Sequence, residues 1–184
     1  MARQITLPRP PEAVSAAAAR YGPLVVLSLA GVVLIVAEFL TYREIVAVTV
    51  VPQGGRTTGC AHHGYALALI GLVSLPMSYG AVLGGSRPAA AALTALGALA
   101  LAIAAIVDLP SLNDTGLIGR TYDLAEANPA VGFWIEIVAA AVLLAGGLLL
   151  LRSRSAAARS KSEAREAERR ARRPADTEAP PTGS

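Results

Sequence analysis

Apolar residues along this chain gather into four long blocks, at about 24–42, 65–83, 89–107 and 130–151, each nearly free of charge. A stretch of about twenty apolar residues is what a helix needs to cross the hydrocarbon core of a bilayer. The pattern predicts an all-α membrane protein, a bundle of four transmembrane helices occupying residues 22–151. Before it, residues 1–21 form a polar arm with Pro8, Pro10 and Pro11 and the run Ala16–Ala19. Pro23 then falls in the first turn of the first span, where proline is tolerated. A cleaved signal peptide is not expected, because the charged lead is long and no small-residue cleavage site follows the apolar run.

The connections differ in kind. Residues 42–64 hold the β-branched run Ile45-Val46-Ala47-Val48-Thr49-Val50-Val51, then Pro52, Gly54 and Gly55, which predicts a short strand and a loop. Pro76 lies near the middle of the second span, with Ser74 and Ser78 placed to satisfy backbone groups it frees. Only Gly84-Gly85-Ser86-Arg87-Pro88 joins the second and third spans, so these form a tight antiparallel hairpin. Residues 108–129 read as a polar loop, within which 117–122 is a second strand that pairs with the Ile45 strand. Beyond Leu151 lies a basic tail, residues 152–184. Its part 155–173 is helix-forming, with Glu166–Arg170 and Glu168–Arg172 at the supportive four-residue spacing, and 174–184 is expected to be disordered.

Composition sharpens this picture. Of 184 residues 54% are hydrophobic and only 16% charged, below the quarter usual for soluble domains, and no stretch outside the spans could build an enzymatic core. Sixteen basic against thirteen acidic residues give a net charge of +3, with the bases flanking the spans, so the expected partners are the bilayer and anionic lipids, not nucleic acid. If the Arg87 turn is cytoplasmic, thirteen of the sixteen basic residues lie on that side; only Arg43, Arg56 and Arg120 lie on the other. The positive-inside rule therefore puts both termini in the cytoplasm of a plasma membrane. Phe39, Tyr42, Tyr65, Tyr122, Phe133 and Trp134 gather towards the outer interface, Tyr21 and Tyr79 towards the inner. Lys161 is the only lysine, an arginine bias that fits a GC-rich bacterial genome.

Candidate chemistry is sparse. Glu38 and Glu136 are the ionisable residues inside apolar spans. A carboxylate at membrane depth costs about 2–3 kcal/mol even on permissive scales, so it has a partner or a task. Asp108 at the end of the third span and His62 and His63 at the start of the second lie at the same rim, and imidazole and carboxylate are ordinary metal ligands. Adjacent histidines on a helix project about 100° apart, however, and no His-x3-His spacing exists, so a metal site is not expected. Cys60, the single cysteine, excludes an intramolecular disulfide and a Cys-x-x-Cys pair within one chain. Phosphate-binding glycine loops, nucleophile elbows and zinc-binding helical motifs are absent from the sequence, and no cofactor is implied. Gly80 and Gly84, and Ala91, Ala95, Ala98 and Ala102, give small-residue faces suited to close helix packing within the chain, with a homodimer or another membrane protein as the lesser alternative.

The four spans, the Gly84-Gly85-Ser86-Arg87-Pro88 turn and the arginine-rich tail loosely resemble small four-span bacterial membrane proteins, including the tryptophan-associated membrane proteins of actinobacteria. These shared features are generic, and no family is assigned on them. A glutamate within a span is similar to the small multidrug transporters, from which the chain departs in placing Glu38 near a span end. The expected function is that of an accessory or structural membrane component without catalytic machinery; the alternative is a small transporter or channel using Glu38 and Glu136.

Overall fold

Alanine and leucine, the strongest helix formers, dominate the long segments and carry them further than hydropathy alone marks. In a computed structural model, which describes residues 12–47, 53–121 and 125–171, the first helix, α1, is Glu12–Ala37. Ala16–Ala19 extend it so far back that Pro23 stands in its interior, not in its first turn. After a turn come the strands β1 (Thr41–Ala47) and β2 (Gln53–Thr58), the short helix α2 (Gly59–His63) and the helix α3 (Ala66–Val82), unbroken through Pro76. Ser74 Oγ donates to Gly71 O and Ser78 Oγ to Ser74 O, each at 2.7 Å. The carbonyl that a proline at 76 leaves without its helical donor is that of Leu72, so the two serines serve its neighbours instead.

A tight turn leads into α4 (Arg87–Ile103), as expected. Gly85 takes the left-handed φ of +68° that the turn requires, and the Ser86 hydroxyl caps the helix by accepting from Ala89 N at 3.3 Å. The helical path then continues through a π turn, Ala104–Asp108, and α5 (Leu109–Ser111), farther than the expected third span. The short helix α6 (Gly116–Thr121), the strand β3 (Ala125–Pro129) and the long helix α7 (Val131–Ala171) complete the chain. At 1.5 Å per residue, the 41 residues of α7 reach roughly 60 Å, about twice a bilayer core. The fourth apolar block and the charged stretch after it are thus one helix; residues 172–184, with the expected disorder and the Glu168–Arg172 pair, lie outside the described residues.

The three helical stretches Ala17–Ala37, Arg87–Ser111 and Val131–Arg169 are long and apolar enough to cross a membrane, and α3 is a shorter apolar helix of 17 residues. The principal contacts run α1 to α3, α3 to α4, α4 to α7 and α7 back to α1, which is a four-cornered bundle. Its interior is built of Ala30, Ala81, Ala90, Ala100, Ala139 and Ala140 with Leu27, Leu34, Leu67, Leu93 and Leu143. Larger residues such as Val25, Leu29, Leu72, Ile106, Val138 and Leu149 face outward. Alanine-rich helix contacts with apolar side chains also facing outward are how helices pack where the solvent is lipid, because close backbone approach replaces a hydrophobic driving force. The surface suits a lipid solvent, in keeping with three helices long and apolar enough to cross a membrane.

The fold departs from all-α. One end of the bundle carries an antiparallel sheet of order β2-β1-β3, with Ile45 opposite Gly55 on one side and Ala127 on the other. The strand expected at Ile45–Val51 begins earlier, at Thr41, and is described as far as Ala47; 48–52 lie outside the described residues. The expected partner segment 117–122 is instead mostly α6. Asp114 Oδ1 accepts from Gly116 N at 2.9 Å, a local turn that starts a helix, and β3 follows it to pair with β1. β3 (AEANP) has no β-branched residue and β2 (QGGRTT) has them only at Thr57 and Thr58, after Gly54 and Gly55, so they are strands because β1 offers them a ladder to complete.

Candidate functional site

Glu38, Asp108 and Glu136 are all buried, at 0%, 0% and 2% exposure. Helix register brings them to within about one turn of one another. Gly146 of α7 lies against Leu27 of α1 and Gly132 against Leu40 and Thr41, so continuing the antiparallel register from Leu27 sets Ala37 opposite Glu136, with Glu38 beside it. On the other side of α7, Gly97 abuts Ala140 and Leu144, while Gly147 abuts Ala90 and Thr94. That register places Glu136 opposite residue 104 and Asp108 about one turn, or ~6 Å, nearer the sheet. Three elements therefore deliver three carboxyl groups to the end of the bundle that the sheet closes.

Each has a local cause. Glu38 is the first residue past α1, and its Oε1 accepts from Tyr65 N at 3.1 Å, while its backbone carbonyl accepts from Cys60 N at 2.8 Å. Tyr65 is the residue capping α3 and holds a left-handed φ of +68°, which a side chain beyond glycine adopts only at a cost. The carboxylate thus sits at the N-terminus of α3, where backbone N–H groups lack helical partners and negative charge is favoured. Asp108 ends the buried stripe Leu93, Gly97, Ala100 and Ala104 of α4, carried through the π turn. Glu136 lies one turn beyond Gly132, whose missing side chain lets α7 approach Thr41.

A polar network covers this level from the sheet side. Ser111 Oγ donates to Asp108 O at 2.8 Å and lies 3.3 Å from the Tyr42 hydroxyl. Arg43 donates through Nη1 to Ser111 O, with its guanidinium 5.7 Å from the Tyr42 ring centre, in reach of a cation–π contact. Tyr42 packs with Leu112, Phe133 and Ile137. Tyr42 and Phe133, at 1% and 3% exposure, therefore belong to the interior and not to an outer aromatic belt, whereas Phe39, Tyr65 and Trp134 stay exposed. Tyr122 lies outside the described residues.

Arg43 and Ser111 were not among the candidates from sequence. Ser111 stands only three residues past Asp108, whereas Arg43 is brought to it by the return of β1 over the bundle end. The backbone of His62 and His63 falls in α2, but their side chains lie outside what the structure describes. Among the described residues no group of three His, Cys, Asp or Glu side chains is arranged to hold a metal ion. Cys60 is half-buried, with its sulfur 3.3 Å from Thr58 Oγ1. Gly80 lies against Ala89 of α4, so it serves packing within the chain. At the far end of the bundle, Arg154 donates to Ala81 O and Arg87 to Ser155 Oγ, which ties α7 to the α3–α4 turn. No family model matches this chain and no curated protein is similar to it in sequence, so the site is read from its own residues.

Proposed function

We propose that this is a small integral protein of a bacterial plasma membrane, an accessory or structural component without catalytic machinery. In this reading α1, α3, α4 and α7 all cross the bilayer, both termini are cytoplasmic and the sheet caps the outer side. At about 26 Å, α3 is short for a core of ~30 Å, a mismatch a bilayer absorbs at a fraction of a kcal/mol per Å. The observation that carries the structural role is the use made of Glu38: its carboxylate is committed to the N-terminus of α3, binding the helix to the end of α1. A buried acid that fastens two helices needs no transported ligand to account for it.

A second reading, transport of protons or cations, draws on the three carboxyl groups within about one turn of one another and on the π turn beneath Asp108, since such turns concentrate at functional sites. Proteoliposomes loaded with a pH-sensitive dye separate the two. The accessory reading expects proton and cation flux no greater than in protein-free vesicles, together with co-purification of a larger membrane complex. Flux that disappears in Glu136→Gln would instead establish the transport reading.

A further inference from the structure

At the end of the bundle opposite the sheet, α1 and α7 part to leave an open groove of about 630 Å³. Its walls are Pro23, Val26 and Leu27 on one side and Val142, Gly146 and Leu149 on the other, with Ser153 at its mouth. The cause is local. Gly146 presents no side chain, and Leu27 packs over it as the floor. Just beyond the groove each helix carries an arginine. Arg20 stands three residues before Pro23 and seven before Leu27, on the same face of α1. Arg152 stands three after Leu149, one turn along the same face of α7. The register that sets Leu27 opposite Gly146 brings Arg20 level with Ser153, so both arginines stand on their helices at the level of the groove's mouth. Both are exposed, and the Arg20 guanidinium lies 5.5 Å from the centre of the Tyr21 ring, a contact that restrains it.

We infer that this groove holds one acyl chain of an anionic phospholipid, with its phosphate between Arg20 and Arg152. An apolar channel leading to two cations matches an apolar chain leading to an anion. Guanidinium is the side chain best shaped to bind phosphate oxygens in pairs. The inference rests on the membrane reading above and adds to it a defined lipid site, separate from diffuse attraction of the basic tail. It also agrees with that orientation, which turns this end towards the cytoplasmic leaflet, where anionic lipid is concentrated.

Native mass spectrometry of the full chain, titrated with phosphatidylglycerol and with phosphatidylcholine of the same acyl chains, tests it. The expected result is one phosphatidylglycerol retained preferentially per chain, with that preference falling on the order of tenfold in Arg20→Gln/Arg152→Gln. Ala145 lines the groove from an exposed position, so Ala145→Trp fills it without disturbing the interior and should displace both lipids. A chain lacking residues 156–184 should keep the preference. The inference is overturned if the wild-type chain shows no preference or if the double variant keeps it. It is equally overturned if Ala145→Trp changes nothing, or if the groove proves to be covered by a second copy in a dimer. A chain that stays soluble without detergent and binds neither lipid would overturn the membrane reading itself.

Discussion

Glu38 is best understood by what its replacement leaves behind. Glu38→Ala removes the acceptor of the Tyr65 N–H and should cost about 1–3 kcal/mol, read as a lowered unfolding midpoint in detergent. Glu38→Gln keeps an oxygen in place to accept the Tyr65 N–H and should cost less. Equal losses would show that an acceptor oxygen at this position is not enough to hold α3. Glycine gives a second contrast. At Gly97 a side chain would run into the backbone of α7, so Gly97→Val should destabilise by about 1–3 kcal/mol through overpacking. Gly22 has nothing within 4 Å of an added Cβ, and Gly22→Ala should be neutral or slightly stabilising. The sequence sets Gly22 at the edge of a span and Gly97 within one, but it does not show what either would meet. The difference is one of partner, and the partner lies more than forty residues away.

At the scale of elements, α7 joins two regions whose compositions differ sharply. Its apolar half packs on α1 and α4, whereas beyond Arg152 its residues are mostly exposed. Arg154 to Ala81 O and Ser155 to Arg87 tie this part of the helix to the bundle. Deleting residues 156–184 should therefore leave membrane insertion and thermal stability unchanged. Arg154→Ala should lower the unfolding midpoint modestly, by about 1 kcal/mol. Reversal of that order would place folding information in the tail. The sheet makes the complementary point: β1 was legible because Ile45 and Val46 are β-branched, but β2 and β3 were not, since their strand character comes from pairing with β1.

For the whole molecule, the proposed orientation can be tested with the chain's own thiol. Cys60 is half-buried beside the sheet, and in spheroplasts it should react with a thiol reagent that cannot cross membranes. A tag placed after Ser184 should resist protease until the membrane is opened. Labelling of Cys60 only after lysis would invert the topology, provided that the thiol reacts in detergent.

What the sequence by itself determined is the apolar character of the long segments, their approximate extents, and the presence of two acids within them. These are local properties, set by twenty residues at a time and by the thickness of a bilayer. The tertiary structure alone decided that Arg43 reaches over the rim of Glu38, Asp108 and Glu136 to Ser111, and that Gly146 opens a groove against α1. Those facts depend on helix register, which side-chain volumes fix where two helices touch. A one-residue shift turns a helix by about 100°, enough to send any of these groups to the opposite face.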